Sequence, residues 1–243
     1  MTAPLPHSPA QDDAPVRAAS LLKYRRRADA YDGRCGPTWP IRERAVAALR
    51  LQPGQRVLDV GCGTGLSLAL LRQAVGAAGR VYGCDHSPEM LGHARRRVAE
   101  AGWTNVQLLE VPVQALSLPE PVDALLLHYT HDILRSPLAI QRLLAQATPG
   151  ARVAIAGIKY FPRWLAPLNL WVYFKNHGYN GAPGQLATPW DRIAPHLRDW
   201  QWTPTQWGMG YLASGQVPPA SAQRQPRPAA RPPEGDRQPA LMP

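Results

Sequence analysis

The chain has 243 residues, of which 45% are hydrophobic, and a formal net charge of +10 at neutral pH. This length suits one α/β domain with a well-formed core and some extensions. No apolar run approaches the roughly 18 residues that a membrane-spanning helix needs, and the first residues have no apolar segment typical of a secretory signal.

The three cysteines, Cys35, Cys62 and Cys84, are too few and too scattered for a disulfide framework or a metal site. We therefore expect a cytoplasmic protein without a bound metal. The positive charge is spread over an N-terminal helix, residues 95–97 and a Pro/Arg-rich tail, as on solvated helix faces. It predicts no specific nucleic-acid partner, leaves a peripheral contact with a membrane surface open, and says nothing about the oligomeric state.

Four regions are expected along the chain. Residues 1–15 and 216–243 are rich in proline and lack periodicity, so we predict that both are disordered. Residues 16–52 are predicted to form an N-terminal helical lid, which begins with a basic amphipathic helix. Residues 53–215 are predicted to form the ligand-binding domain.

Strands and helices alternate through this domain. Apolar strands are expected at 57–60, 81–84, 106–109, 122–127 and 151–156, and helices at 40–50, 66–75, 87–101 and 138–147. Two antiparallel strands are expected to close the sheet between residues 196 and 213, with a bulge near Gly208 and Gly210. The pattern predicts an α/β fold with a doubly wound, mostly parallel, seven-stranded sheet.

The stretch 57–65, Val-Leu-Asp-Val-Gly-Cys-Gly-Thr-Gly, runs from a strand into a glycine-rich turn and then into a helix. Glycines at alternate positions permit a tight turn and a close approach to a ligand, and the helix N-terminus favours anionic or polar groups. Asp85 follows the next strand, at the spacing at which a carboxylate reaches ribose hydroxyls. Asp59, inside the first strand, is a carboxylate whose burial is costly unless a partner satisfies it.

The run from Asp59 to Gly65, with Asp85 downstream, resembles motif I and the following acidic residue of the class I S-adenosylmethionine (SAM)-dependent methyltransferases. The G-x-G-x-G spacing differs from the G-x-G-x-x-G of nicotinamide enzymes. The general pattern is nearest to the UbiE-like (ubiquinone and menaquinone biosynthesis) and phospholipid N-methyltransferase-like groups, methyltransferase types 11 and 25. The resemblance covers about residues 20–215 and implies a Rossmann-like fold, SAM as cofactor and S-adenosylhomocysteine (SAH) as its product.

The resemblance also implies which residues hold SAM. They are Asp59, Gly61, Gly63 and Gly65 of motif I, Asp85 with its neighbours His86 and Met90, His128 after the fourth strand, and Tyr31 in the lid. The lid assignment depends on a Y-x-x-x-A-x-x-Y-D segment that ends at Asp32. Alternatively, its tyrosines only pack a helix onto the domain.

One position departs from the family pattern. After the third strand the family has an acidic residue that contacts the adenine amino group, and this chain has Pro112. Proline provides neither an N–H nor an acceptor side chain. Adenine recognition is therefore expected from backbone groups or from neighbours such as Glu110 or Gln114.

Polar residues follow the fourth strand, at the edge where open α/β sheets bind ligands. His131 or Asp132 is the candidate general base, and Tyr129 or Tyr31 the candidate for orienting the acceptor, with His128 nearer to the donor. The alternative is that a histidine here only caps the loop or the next helix. Most of the catalysis is expected from alignment, because methyl transfer is an in-line displacement.

Residues 159–175 combine aromatic, apolar and basic side chains. This segment is expected to select a small-molecule or lipid-like acceptor, or else to cap the sheet as ordinary core. We therefore predict methyl transfer to a nitrogen, oxygen or carbon of such an acceptor. The alternatives are SAM-dependent aminocarboxypropyl transfer, a nicotinamide-dependent oxidoreductase, and a non-catalytic methyltransferase-like binding protein.

Overall fold

A computed structural model of the protein describes residues 38–161, 168–169 and 186–219. The helices in these ranges are α1 (Trp39–Ala48), α2 (Leu68–Val75), α3 (Pro88–Glu100) and α4 (Pro137–Ala145). The strands are β1 (Arg56–Val60), β2 (Arg80–Asp85), β3 (Val106–Glu110), β4 (Val122–His128), β5 (Ala147–Ile158), β6 (Arg198–Thr205) and β7 (Gly210–Gln216). Short 3₁₀ turns lie at Val113–Ala115, Ile133–Arg135, Ala194–His196 and Gln206–Gly208.

The strands form one seven-stranded sheet in the order β3-β2-β1-β4-β5-β7-β6. Strands β1 to β5 are parallel, and β7 runs antiparallel to both β5 and β6. The predicted doubly wound, mostly parallel sheet with two closing strands is therefore confirmed. The strand order reverses between β1 and β4, and ligands of open α/β sheets bind beside such a switch point.

The central strands are covered on both faces. Leu58 of β1 packs into the core beneath α4, whereas Val57 packs into the core beneath α1, α2 and α3. Side chains alternate along a strand, so Asp59 shares the face of Val57, and His128 shares the face of Leu126. A carboxylate and an imidazole are thus carried onto the face that α1 covers.

Helices α3 and α4 begin with the same Ser-Pro pair. Ser87 Oγ accepts a hydrogen bond from the Met90 N–H at 3.3 Å, and Ser136 Oγ accepts one from the Ala139 N–H at 3.2 Å. The proline that follows takes a first-turn position, where no N–H is needed. These caps start α3 just after β2 and α4 just after the loop that follows β4, so both helices begin at the edge where those strands end.

The fifth strand is longer than predicted. The sequence predicts a turn at Pro149-Gly150, but β5 already begins at Ala147, which pairs with Val122 of β4. The register then shifts before Arg152, and Gly150 adopts a φ of 84° within the irregular stretch. The Pro-Gly pair therefore forms a bulge inside the strand instead of a separate turn.

The prediction of a bulge near Gly208 and Gly210 is wrong. The register of the closing pair shifts instead between Arg198 and Gln201 of β6, where Asp199 has a φ of 52°. Gly208 lies in the turn that joins the two strands, and Gly210 pairs as the first residue of β7. The two glycines therefore belong to the tight connection between β6 and β7, and the register shift lies near the start of β6.

Several predicted segments lie outside the described residues. They include residues 1–15, the basic helix of the lid, most of the aromatic segment 159–175, and the tail beyond residue 219. Of the predicted lid at 16–52, the described part begins at residue 38 and contains α1. Among the helices that are described, none is both long and apolar enough to cross a membrane.

Two glycine substitutions should change stability in opposite directions. A Cβ at Gly79, in the turn before β2, would lie 2.4 Å from Val75 Cβ and 2.6 Å from Gln55 O, so Gly79→Ala should lower the free energy of unfolding by about 1–3 kcal/mol. Gly92 lies inside α3, where an added Cβ would meet nothing within 4 Å beyond its chain neighbours and the backbone of its own helix, so Gly92→Ala should raise the free energy of unfolding by about 0.5–1 kcal/mol. Urea denaturation of both variants measures the two shifts, and equal shifts would contradict the packing described here.

Candidate active site

A shallow, open cleft lies at the edge where β1, β2, β3 and β4 end. Its walls come from the glycine turn after β1 and from the loops that follow β2, β3 and β4. The lining residues are Gly61, Cys84, Asp85, His86, Val111, Pro112, Val113, Gln114, Asp132, Ile133 and Ser136. This is the position that the sequence predicts for a nucleotide-containing ligand.

The three glycines of the turn all have left-handed backbone angles, with φ of 64° at Gly61, 56° at Gly63 and 81° at Gly65. A Cβ at Gly61 would lie 2.7 Å from the Thr130 side chain, and one at Gly65 would lie 2.7 Å from the Leu68 side chain. At Gly63 the nearest atom would be 3.5 Å away. Packing and conformation together therefore require glycine at the first and third positions, whereas conformation alone requires it at the second.

Asp85 connects the glycine turn to the start of α3. Its Oδ2 accepts the Gly63 N–H and its Oδ1 accepts the Ser87 N–H, each at 2.9 Å. Burial raises the pKa of this carboxyl, and the two N–H donors act against that rise. Each carboxylate oxygen can accept a second hydrogen bond, so Asp85 can hold the turn and still receive ligand hydroxyls.

The other predicted contacts near Asp85 are placed consistently with it. His86 lies beside the carboxylate, with Nδ1 3.9 Å from Asp85 Oδ1, and lines the cleft. Met90, in the first turn of α3, is the neighbour that faces Gly63. Tyr31, which was predicted to close over the ligand, lies outside the described residues.

Asp59 is buried with only 2% of its surface exposed, and its Oδ2 has no hydrogen-bond partner among the described residues. Burial raises its pKa to about 7, the positive charge of Arg42 opposes that rise, and the charge of Asp85 adds to it. A buried carboxylate with an unsatisfied oxygen behind the glycine turn fits a ligand that brings a cation or a strong donor. The ammonium group of SAM is such a donor.

Arg42 is a buried charge near the glycine turn that the sequence analysis missed. It is 6% exposed, its Nη1 donates to Ser67 Oγ, and its Nε has no partner among the described residues. Ser67 directly precedes α2, and its side chain makes no capping bond to that helix. A signal was present, since Arg42 falls on the buried stripe of α1 at helical spacing from Ala45 and Val46.

The charge of Arg42 acts on both polar residues of the same sheet face. It lowers the pKa of Asp59 and, together with burial as the larger cause, the pKa of His128. Among the described residues no ion pair within 4.0 Å joins Arg42 to Asp59. Two opposite buried charges thus influence each other without direct contact.

His128 ends β4 and is 8% exposed. Its depressed pKa keeps the ring neutral at physiological pH, and its Nε2 has no partner among the described residues. The next residue, Tyr129, has a φ of 61°, an unusual backbone conformation for a residue with a side chain. Its ring lies edge-on to that of His128, with 4.8 Å between the centroids.

Of the three candidate catalytic residues, Tyr129 and His131 lie close together, with their rings edge-on and 6.4 Å between the centroids. His131 Nε2 accepts the Ile158 N–H at 3.1 Å, which engages the lone pair that a general base would use. Asp132 lines the cleft, and its negative charge contributes to the raised pKa of Asp85. Tyr129 lies beside His128 at the end of β4. A role for His131 as a base would therefore require its bond to β5 to break.

The comparisons with known proteins agree with this geometry. Residues 57–150 match the model of the family described as "Methyltransferase domain". The protein-L-isoaspartate O-methyltransferase of Aeropyrum pernix is 33% identical over 46% of this chain and 42% of its own length. The 2-phytyl-1,4-naphtoquinone methyltransferase of Thermosynechococcus vestitus is 28% identical over 68% of this chain and 73% of its own length.

Solved structures show the same fold. The N-methyltransferase NodS from Bradyrhizobium japonicum, solved in complex with SAH, superimposes with a TM-score of 0.55 at 17% identity, over 76% of this chain and 91% of NodS. The sheet order, the glycine turn and the cleft thus define the class I, SAM-dependent methyltransferase fold. The match to the methyltransferase domain model is confined to residues 57–150 of the chain. It spans less than half the length of the isoaspartate enzyme.

The ionisation of Asp59 should make stability depend on pH. Its folded pKa of about 7 lies above the ordinary value of 3.8, so the folded protein keeps a proton that the unfolded chain releases. The stability associated with this proton is present below about pH 4 and is lost as the pH rises to about 7. Asp59→Asn carries no such charge, so its free energy of unfolding relative to the wild type should rise by about 2–4 kcal/mol between pH 4.5 and 8.

Urea denaturation of the ligand-free protein at several pH values measures this difference. The asparagine has its own packing and hydrogen-bond costs, which shift the variant equally at every pH. Only the change with pH therefore tests the burial of a charge at Asp59. A difference that stays constant from pH 4.5 to 8 would contradict it.

Proposed function

We propose that the protein transfers a methyl group from SAM to a small aromatic or lipid-like acceptor. The observation that carries the proposal is Asp85, whose carboxylate joins the glycine turn to the start of α3 in the wall of the cleft. The remaining acceptor positions of its oxygens suit the two ribose hydroxyls of the donor. The match of residues 57–150 to the methyltransferase domain model supports the same donor.

The charges behind the glycine turn suit the amino-acid end of SAM, which carries both an ammonium and a carboxylate group. We assign the ammonium to Asp59 and the carboxylate to Arg42, two residues on the face that α1 covers. A buried charge is costly until it has a partner, and a zwitterion would satisfy both residues at once. The neutral His128 at the end of β4 adds a polar group without adding a charge.

When bound, SAM would supply a methyl group on a sulfonium sulfur. A nucleophile of the acceptor would attack the methyl carbon in line with the C–S bond, and SAH would leave with the electrons of that bond. The contribution proposed for the protein is alignment, for which roughly 7–11 kcal/mol of the barrier is available. Tyr129, at the end of β4, remains the candidate for orienting the acceptor. We reassign Asp132 to the wall of the donor site, because it lines the cleft near Asp85, and His131 to holding the loop against β5.

The proposed acceptor is of the quinone or hydroxy-aromatic type. Its support is the naphtoquinone methyltransferase that aligns with 68% of this chain, together with side chains at the end of β5. Lys159 Nζ lies 5.4 Å from the centre of the Trp202 ring. The Trp190 ring has its centroid 4.8 Å from that of Trp202, in a tilted contact, and 4.8 Å from that of Tyr211, in an edge-on contact. Burial lowers the pKa of Lys159, and a poorly hydrated ammonium beside aromatic rings would attract the acidic oxygen of a phenol or an enol.

Incubation with doubly labelled SAM tests the proposal. The purified protein is mixed with an organic extract of cells and with SAM that carries one label on the methyl group and another on the carboxyl carbon. We expect the methyl label alone to enter the organic phase, because only the methyl group is transferred. Transfer of the carboxyl label alone would instead establish aminocarboxypropyl transfer, because the methyl label then stays on the methylthioadenosine that leaves. No transfer together with no binding of SAH would favour a non-catalytic domain.

Asp85→Ala should weaken SAH binding at least tenfold, since a charged hydrogen-bond acceptor contributes about 1.5 kcal/mol or more. Glu43→Gln, on the exposed side of α1, is the control and should bind SAH like the wild type. Calorimetry measures both affinities. Unchanged affinity in the Asp85 variant would remove Asp85 from the donor site.

The assignment of Arg42 has a separate test. Arg42→Met should weaken SAH binding at least tenfold, yet leave the binding of 5′-methylthioadenosine unchanged, because that ligand lacks the amino-acid end. Arg44→Met, an exposed position on the same helix, should affect neither ligand. An equal loss for both ligands in the Arg42 variant would show that Arg42 supports the fold instead of contacting the donor.

A further inference from the structure

We propose that the turn between β6 and β7 is a membrane anchor, which inserts the side chain of Trp207 into a lipid bilayer. The anchor consists of residues 205–210, and its partner is the boundary between the lipid headgroups and the acyl chains. Binding at this turn goes beyond the proposed methyl transfer, because it involves neither the donor nor the cleft.

Trp207 is fully exposed, with 100% of its surface accessible to water. The other large apolar side chains that are exposed in the described part of the chain, Trp39, Leu138 and Leu168, are only 36% to 44% exposed. A buried tryptophan removes roughly 150–250 Å² from water, so a tryptophan left in water forgoes a large hydrophobic gain. Packing against the described residues therefore does not explain a tryptophan at this position.

The backbone of the turn is also strained. The φ angles are 48° at Gln206, 59° at Trp207 and 94° at Gly208, so three consecutive residues are left-handed. Glycine adopts this conformation readily, whereas a residue with a bulky side chain does so at a cost. Trp207 thus combines a conformational cost with full exposure. Strained residues of this kind cluster at functional sites, which favours contact between Trp207 and a partner.

Neighbouring segments hold the turn at the end of β5. The Lys159 N–H donates to Met209 O at 2.8 Å, and a Cβ at Gly208 would lie 3.4 Å from the Phe161 ring. The Asn169 side chain accepts from the Phe161 N–H at 2.7 Å and donates to the Phe161 carbonyl at 3.0 Å. Because β5 runs parallel to β4, the turn lies at the same edge of the sheet as the cleft. A membrane at this turn would therefore face the edge at which a lipid-like acceptor would enter.

The composition of the hairpin suits a lipid surface. Between Asp199 and Arg224 the sequence has no charged residue, so no carboxylate of the hairpin repels anionic headgroups and no ion must be desolvated on insertion. The net charge of +10 attracts the whole chain to an anionic surface. Tryptophan is enriched at membrane interfaces, because its ring is apolar and its N–H is polar.

A protein partner would need a larger apolar surface. Stable protein interfaces bury about 800 Å² on each partner. Two of the exposed apolar side chains, Trp39 and Leu138, belong to α1 and α4 and not to the hairpin. A single projecting ring such as that of Trp207 is better matched to a bilayer, which can close around it.

Sedimentation of the full chain with vesicles of phosphatidylcholine and phosphatidylglycerol tests the anchor. We expect the wild type to pellet with the vesicles and Trp207→Gly to partition at least about tenfold more weakly, because the apolar ring is lost. The unfolding midpoint of Trp207→Gly should equal or exceed that of the wild type, since glycine relieves the left-handed strain. Trp39→Ala removes an exposed tryptophan from α1 and is the matched control, which should partition like the wild type.

Vesicles with brominated acyl chains distinguish insertion from attraction by charge alone. At saturating lipid they should quench part of the tryptophan fluorescence of the wild type, and Trp207→Gly should lose that quenching. A wild type that stays in the supernatant, that binds without quenching, or that partitions no better than Trp207→Gly would overturn the anchor.

Two further measurements separate this proposal from its neighbours. Sedimentation velocity without lipid reports the alternative partner: if the wild type self-associates and Trp207→Gly does not, the turn contacts a second copy of the chain and the membrane anchor is wrong. Binding of SAH to the same preparations reports the donor site. A chain that binds vesicles through Trp207 but does not bind SAH would retain the anchor and lose the proposed function.

Discussion

The site depends on one carboxylate that holds two backbone segments together. Asp85 accepts an N–H from the glycine turn and another from the residue that caps α3. Both donors belong to segments whose own hydrogen bonding is incomplete, namely a left-handed turn and a helix N-terminus. Without this carboxylate, two sets of N–H groups at the sheet edge would lose their common acceptor, and the wall of the cleft would lose its shape. Under the proposed function, the same two oxygen atoms would hold the backbone together and bind the donor.

A second constraint lies on the face of the sheet beneath α1. Arg42, Asp59 and His128 are all nearly buried there, although such groups are rarely buried unless they are paired. An apolar set would pack this face at lower cost. A charged ligand would therefore explain the presence of these polar groups near the glycine turn better than a contribution to stability would. The proposed contact of Arg42 with the donor would also give α1 a role in the site, although α1 precedes the matched domain in the chain.

The sequence predicts the elements well where the signal is local. The strand before the glycines, Asp85 at the end of β2 and the Ser-Pro start of α3 follow from residues adjacent in sequence, and the structure has all three. The contacts of Arg42 and His131 could not be predicted, because each joins segments about 25 residues apart that only the fold brings together. The glycine turn could be interpreted only in part from the sequence. Its spacing indicates a ligand, but the structure shows that the side chains packed against Gly61 and Gly65 also leave no room for a Cβ.

The bulge in β6 has a consequence for self-association. β6 is the outermost strand on its side of the sheet, and the register shift next to Asp199 interrupts the regular spacing of its backbone groups. Farther along the strand, Pro204 has no N–H to offer. Charged residues, bulges and prolines are the features by which natural edge strands avoid pairing with another copy of the chain. We therefore expect this edge to disfavour pairing with another copy of the chain, so that the sheet ends at β6.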